Sequence, residues 1–146
     1  MEYNPYALTG KTILVTGASS GIGRAVAIEC SRLGAHVILS ARNKEKLEET
    51  LKMMEGHGHQ VIECDLSKEK EVSLLIDEVP EIQGLVNNAG TTMTVPVPFI
   101  KFNVLSDLLK VNTIAPIMIL SGLVKKKKLR ANSSVVLLVL SQVWDV

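Results

Sequence analysis

The sequence predicts an α/β fold: a Rossmann-type, doubly wound parallel sheet of about five strands, incomplete at its C-terminal edge. Two observations carry this prediction. Short apolar runs rich in β-branched residues alternate with longer segments of helical period along the 146 residues. The strand-like runs are apolar throughout, which is typical of strands that are buried on both faces of a parallel sheet.

The predicted strands follow at regular intervals, over residues 12–15, 36–39, 60–62, 84–86 and 134–139. Ile22, Val26, Cys30 and Leu33 share one face of the helix that follows the first strand, so we expect them to point inward. Asn43 is predicted to cap the second helix and Ser67 the third. A long, mostly apolar helix is predicted from about 103 to 124.

Composition and charge exclude several classes of protein. At about 150 residues per domain, the length favours one domain over residues 1–146. A formal net charge of +1 argues against a nucleic-acid binder. The N-terminus lacks the pattern of a secretory signal, and the longest uninterrupted apolar runs, 114–120 and 135–140, are far shorter than the roughly 18 residues of a membrane span. We therefore expect a cytoplasmic protein without membrane contact.

Three other features are interpreted as structural. Cys30 and Cys64 form no Cys-x-x-Cys motif and are expected to be small buried residues in a reducing compartment, with a disulfide as the alternative. His57 and His59 have no carboxylate or thiol beside them, so no metal site is predicted. The basic run 125–128 fits the solvated C-terminus of the long helix.

A glycine-rich turn follows the first strand. It reads Thr16-Gly17-Ala18-Ser19-Ser20-Gly21-Ile22-Gly23 and leads into a helix. In this context, backbone N–H groups approach a phosphate that lies at the positive N-terminus of the helix. The turn therefore predicts a dinucleotide site, and a glycine turn without a ligand is the alternative.

This turn and a second motif, Asn87-Asn88-Ala89-Gly90 after the fourth strand, resemble the short-chain dehydrogenase/reductase family. The resemblance covers residues from about 8 to about 138, and the chain looks similar to the 3-oxoacyl-acyl-carrier-protein reductase branch. It implies hydride transfer between a nicotinamide dinucleotide and a small carbonyl or alcohol substrate. The cofactor-binding residues expected from the two motifs are Thr16, Gly17, Ser19, Ser20, Gly21, Ile22, Gly23, Asn88, Ala89 and Gly90.

The end of the second strand bears on which cofactor is used. It reads Leu39-Ser40-Ala41-Arg42, with no acid to bind the 2′-hydroxyl of NAD and with an Arg suited to the 2′-phosphate of NADP. We therefore predict NADP(H) in preference to NAD(H), and a solvated Arg42 is the alternative. Arg24, in the first turn of the first helix, could also approach the cofactor.

Asp65 and Leu66 follow the third strand and resemble the family's adenine contact, in which the carboxylate accepts a hydrogen bond from the adenine amino group. The alternative is that Asp65 is a turn or capping residue beside Ser67. The expected cofactor site thus has three parts: the glycine turn, Arg42, and the Asp65-Leu66 pair.

The resemblance implies a catalytic set of Asn, Ser, Tyr and Lys. Asn112 matches the Asn. Pro116, four residues later, lacks the N–H that would bond the Asn112 carbonyl oxygen, so that oxygen is free to bind a water. A mid-helix Asn with no catalytic role is the alternative. The expected Ser position falls on Leu140, one residue before Ser141, so Ser141 is favoured as an exposed strand-end residue.

The catalytic Tyr and Lys have no match in the sequence. The two tyrosines, Tyr3 and Tyr6, precede the first strand, and no Tyr-x-x-x-Lys occurs. We therefore expect a reductase truncated or frame-shifted before that motif, with weak or no catalysis. The alternatives are a non-catalytic nucleotide-binding module and a partner that docks on a full-length relative. An open sheet edge beside the fifth strand also predicts self-association into a homo-oligomer.

Overall fold

The computed structural model describes residues 4–139, which form one five-stranded parallel sheet with helices on both faces. The predicted fold class is confirmed. The elements are β1 (Thr12–Thr16), α1 (Gly21–Arg32), β2 (His36–Ala41), α2 (Lys44–Lys52), β3 (Gln60–Glu63), α3 (Glu69–Glu78), β4 (Ile82–Asn87), α4 (Phe102–Leu109), a π-helical turn (Lys110–Ile114), α5 (Ala115–Lys125) and β5 (Leu129–Leu137).

The strand order β3-β2-β1-β4-β5 places β1 at the centre of the sheet. The chain moves outward from β1 through β2 and β3, and then returns to the other side of β1 with β4. This reversal is a topological switch point, and in open parallel sheets ligands bind beside it, at the carboxyl ends of the strands. The glycine turn after β1 and the Asn87–Gly90 motif after β4 therefore meet at one place.

The core has two layers, one on each face of the sheet. Val15, Val37 and Leu39 face α1 and α2, where they pack with Ala27 and Leu47. The alternate residues of the same strands face α3 and α5 and pack with residues of those helices; this second layer includes Leu14, Ile38, Leu85, Leu75 and Ile119. Burial on both faces explains why the strands are apolar without alternation.

Two predictions about the helices need correction. On α1, Val26 and Cys30 are partly buried and pack against the core as predicted, but Ile22 is 58% exposed and the fully buried residues are Gly23, Ala27 and Ser31. Small residues let α1 approach the sheet closely, and a search for large apolar side chains overlooks them. Ser67 does not cap α3, which begins one residue later with Lys68 as its N-cap; the Ser67 hydroxyl donates to Asp65 instead.

The long helix is confirmed and is longer than its apolar runs suggested. It runs for 24 residues from Phe102 to Lys125, and an 18-residue stretch within it has a mean hydropathy of 1.5, so by length and composition alone it is long and apolar enough to cross a membrane. Polar residues such as Asn112 interrupt the apolar run without ending the helix. Ile119 and Leu123 are fully buried against the sheet layer that contains α3, so part of the helix belongs to the core. The absence of membrane contact stays a prediction.

β5 is an edge strand that pairs with β4 alone among the residues that the structure describes. It begins at Leu129, five residues before the predicted start, and its register with β4 shifts between Ile82 and Gly84. Asn132, at the shift, has a φ of 64°. Ser141 lies outside the described residues, so its role stays untested.

Candidate nucleotide-binding site

A cleft of about 680 Å³ opens at the carboxyl ends of the central strands. The glycine turn forms one wall, and the segments that follow β2, β3 and β4 form the others. Its lining consists of Gly17, Ser19, Ser20, Ile22, Ser40, Ala41, Arg42, Asn43, Lys46, Cys64, Leu66, Asn88, Ala89, Gly90, Thr91 and Val111. The two motifs and the end of the second strand, which are far apart in the sequence, therefore face one space.

Gly17 and Gly23 are required by the close packing of the turn against the Asn88–Ala89 segment. Gly17 has a φ of +67°, and a Cβ there would lie 2.8 Å from the Cα of Ala89. A Cβ on Gly23 would overlap the carbonyl oxygen of Gly17 and the side-chain nitrogen of Asn88. The absence of side chains at these two positions lets the turn pack against the Asn88–Ala89 segment, and Gly23 is buried in this contact.

Gly21 differs from these two glycines. Its φ of +55° requires the left-handed conformation, yet a Cβ there would meet no atom within 4 Å. Gly21 does not line the cleft, but Ser19 and Ser20 beside it do, and the first N–H groups of α1 lack intrahelical acceptors. The turn therefore fits a phosphate-binding role.

Thr16 joins the turn to the Asn88–Ala89 segment from below. Its hydroxyl oxygen accepts hydrogen bonds from the backbone N–H groups of Asn88 and Ala89, both at 3.1 Å. In return, the Asn88 Nδ2 donates to the carbonyl oxygens of Thr16 and Gly17, both at 3.2 Å. Thr16 is 1% exposed, so it supports the site without lining the cleft.

The end of β2 carries positive charge into the cleft. Arg42 follows β2 and lines the cleft together with Asn43 and Lys46. The Asn43 side chain accepts a hydrogen bond from the Lys46 N–H at 2.9 Å, which confirms the predicted cap of α2. Two cationic side chains and a helix N-terminus thus lie together, an arrangement that favours an anionic group.

Asp65 is engaged by its neighbours. Its Oδ1 accepts hydrogen bonds from the N–H and the hydroxyl of Ser67, at 3.0 and 2.7 Å, and Lys68 lies 3.8 Å from Oδ2. Partial burial opposes ionisation, but the bonds from Ser67 and the charges of Lys68 and Arg42 hold the pKa of Asp65 below its usual value. The contacts match the alternative of a turn residue, while Cys64 and Leu66 on either side line the cleft.

Asn112 lies at the π-helical turn between α4 and α5. Its Oδ1 accepts the Thr91 N–H at 2.8 Å, and its Nδ2 donates to the Thr91 carbonyl oxygen at 2.8 Å. The side chain therefore ties the long helix to the segment after β4. Thr91 and Val111 line the cleft beside this connection.

Most of the predicted cofactor residues line the cleft: Gly17, Ser19, Ser20, Ile22, Arg42, Leu66, Asn88, Ala89 and Gly90. Thr16, Gly21, Gly23, Asp65 and Asn112 do not line it. Seven lining residues were not predicted as cofactor contacts: Asn43, Lys46, Ser40, Ala41, Cys64, Thr91 and Val111. A signal existed for the first two, because the residues that cap and open a helix after Arg42 must lie near that side chain. Over residues 4–139, no group of three or more His, Cys, Asp or Glu could hold a metal.

A parallel sheet with a glycine turn at its switch point defines a dinucleotide-binding α/β domain. The family model for short chain dehydrogenase matches residues 11–143 of the chain. The chain belongs to this family, as the resemblance of its two motifs predicted.

Particular relatives are reductases. The chain is 45% identical over 85 residues to the 3-oxoacyl-[acyl-carrier-protein] reductase FabG of Rickettsia felis, covering 58% of this chain and 35% of the relative. It is 36% identical over 119 residues to the 3-ketodihydrosphingosine reductase of Bos taurus, covering 74% of this chain and 36% of the relative. The chain thus spans about a third of the length of these relatives.

Solved structures show the same arrangement. The 3-oxoacyl (acyl-carrier-protein) reductase of Agrobacterium tumefaciens, with NADP bound, superposes with a TM-score of 0.73 at 29% identity. The match covers 83% of this chain and 49% of that chain. Most of this chain therefore corresponds to about half of the Agrobacterium reductase.

Proposed function

We propose that the chain binds NADP(H) in the cleft, in preference to NAD(H), as part of a reductase or dehydrogenase that acts on a small carbonyl or alcohol. The observation that carries the proposal is Arg42, which lines the cleft at the end of β2 where an NAD-dependent site would carry an acid. Lys46 lies on the same wall and adds a second positive charge. The NADP bound to the relative from Agrobacterium supports the same choice.

The chain's residues fit three parts of such a cofactor. The turn around Ser19 and Ser20 would hold the diphosphate, Arg42 the 2′-phosphate, and the segment from Asn88 to Gly90 the nicotinamide side. The adenine would lie between Arg42 and Leu66. The bound dinucleotide supplies the hydride, and the protein supplies binding and orientation.

Asn112 is proposed to act through its main chain. Both the oxygen and the nitrogen of its amide group are bonded to Thr91. Pro116, four residues on, has no N–H, so the Asn112 carbonyl oxygen lacks the α-helical partner and the N–H that could still reach it in the π-helical turn is that of Ile117. That oxygen is therefore proposed to hold a water in a proton relay, as the family resemblance implies.

A fluorescence titration with NADPH and NADH tests the cofactor proposal. We expect NADPH to bind at least about tenfold more tightly than NADH, because a charge-assisted bidentate contact is worth roughly 1.5–3 kcal/mol. Arg42→Ala should remove this preference and leave NADH binding unchanged. Arg32→Ala, which removes an exposed Arg at the far end of α1, is the matched control. Equal affinity of the wild type for both nucleotides would contradict the proposal.

A second candidate is nucleotide binding without turnover. The observation that favours it is the position of the two tyrosines, Tyr3 and Tyr6, both before β1. General acid–base catalysis contributes about 10²–10⁴-fold in rate, so the 146-residue chain is expected to oxidise NADPH slowly or not at all with a small ketone. Ketone-dependent oxidation at an ordinary enzymatic rate, of the order of 10 s⁻¹, would rule out this candidate.

A further inference from the structure

Two carbonyl oxygens of the glycine turn are held by side chains from the far side of the cleft wall. The Ala18 oxygen lies 2.9 Å from the hydroxyl of Thr50 on α2. The Ser19 oxygen accepts a hydrogen bond from Nη2 of Arg24 on α1 at 2.6 Å. Neither Thr50 nor Arg24 lines the cleft, so any role in the site is indirect.

Thr50 and Arg24 form one connected group. The Arg24 Nε donates to the Thr50 hydroxyl oxygen at 3.0 Å, and Thr50 is fully buried. Because this oxygen accepts from Arg24, its proton is free to point at a carbonyl. The candidates are Ala18 at 2.9 Å and Lys46 at 3.1 Å, and the shorter distance favours Ala18.

The direction of these carbonyl groups decides where the next N–H groups point. In a planar trans peptide, the C=O and the following N–H lie on opposite sides of the chain. Holding the Ala18 oxygen towards α2 therefore turns the Ser19 N–H the other way, and holding the Ser19 oxygen does the same for the Ser20 N–H. Ser19 and Ser20 both line the cleft.

We propose that Thr50 and Arg24 are positioning residues, which fix the two carbonyls so that the N–H groups of Ser19 and Ser20 point at the cofactor diphosphate. This inference rests on the proposed nucleotide function. It extends the site to α2, whose Lys46 also lines the cleft. Without the two side chains, the peptide units of the turn rotate more freely and the N–H groups must be ordered by the ligand.

The test compares NADPH with 2′-AMP, which carries the 2′-phosphate but no diphosphate. Thr50→Val removes the hydroxyl at nearly constant shape, and Arg24→Met removes the guanidinium. Each is expected to weaken NADPH binding about tenfold, the size of one lost hydrogen bond. Binding of 2′-AMP should change by less than about twofold, which a general loss of structure would not allow.

Two further variants complete the test. Thr50→Ser keeps the hydroxyl and should restore the wild-type affinity for NADPH. Glu49→Gln removes only the ion pair of Arg24 with an exposed carboxylate, 3.3 Å away, and should leave NADPH binding unchanged. Melting temperatures are measured for all variants; if Thr50→Val does not fold, Arg24→Met carries the comparison alone.

The outcomes separate this inference from the function on which it rests. If the wild type binds neither NADPH nor 2′-AMP, the proposed function fails and takes this inference with it. If the wild type binds NADPH and the two variants bind it equally well, the function stands and the positioning role is overturned. Equal losses for NADPH and 2′-AMP also overturn it.

Discussion

Asn88 contacts the glycine turn through one side-chain nitrogen, which donates to two carbonyl oxygens. The same nitrogen occupies the space that a side chain on Gly23 would need. The two positions are therefore coupled, since a larger residue at 23 displaces Asn88 and breaks both bonds. A motif after β1 and a motif after β4 act here as one packed unit.

A prediction at the residue scale concerns Asp65. Because its pKa is lowered in the folded state, its contribution to stability is full above the unfolded value of about 3.9 and is lost as the pH falls through the lowered pKa. Asp65→Asn keeps an oxygen for Ser67 but removes the charge. Its free energy of unfolding should fall below that of the wild type near pH 6 and match it towards pH 2, as urea unfolding can measure.

This prediction fails if the difference between Asp65→Asn and the wild type is the same at pH 6 and at pH 2. Such a result would mean that the charge of Asp65 contributes nothing to stability. The bonds from Ser67 would then be neutral turn contacts.

The sequence could predict which residues lie near the cleft. It could not predict which hydrogen-bond partners their side chains have. Arg42 was placed at the cleft because its position follows from the end of a strand. Asp65 has an equally clear position, but Ser67 and Lys68 satisfy its carboxylate locally. Such short-range competition depends on side-chain rotamers, which a motif does not specify.

At the scale of elements, Asn112 connects the long helix to the segment after β4. Its side chain makes two hydrogen bonds to Thr91, one with the backbone N–H and one with the backbone carbonyl oxygen. The π-helical turn Lys110–Ile114 lies around this contact. π-helical turns are frequently found at functional sites, and this one places Val111 on the cleft wall.

Asn112→Leu should loosen this connection. Loss of the two bonds leaves the Thr91 N–H and carbonyl without their partner, which costs about 1–3 kcal/mol. We expect faster hydrogen exchange at the Thr91 amide and a matching fall in the free energy of unfolding. Asn103→Leu, at an exposed position on the same helix, is the control and should leave the Thr91 amide unchanged.

An unchanged exchange rate at Thr91 in Asn112→Leu would show that the segment after β4 is held by its other contacts.

The order and type of the elements could be predicted from the sequence, because apolar periodicity reports them directly. The start of β5 could not, since residues 129–133 are mostly polar and join the strand only through pairing with β4.

At the scale of the whole molecule, the apolar edge of the sheet stands out. Val135, Val136 and Leu137 of β5 are 42%, 44% and 55% exposed. No charged residue lies between 131 and 144, whereas edge strands commonly carry charges that discourage pairing with another chain. The exposed face of α5, with Ile117 and Val124, adds to the apolar surface.

We predict that the chain self-associates through β5. Light scattering over a range of concentrations should show a mass above 15.9 kDa that rises with concentration. Val136→Lys places a charge on the strand and should shift the distribution towards the monomer. Val124→Lys, on α5, is the matched control and should have little effect. A dispersing effect of Val124→Lys alone would assign the contact to the helix instead.

The central place of β1 has a consequence for synthesis on the ribosome. The N–H of Thr12 is bonded to the side chain of Gln83, 71 residues later in the chain. At about 5–20 residues per second, β1 waits roughly 4–14 s before β4 has been made. During that interval the edge of β1 that later pairs with β4 has no partner, so a chaperone that binds unpaired apolar strands would meet the chain at the centre of its sheet.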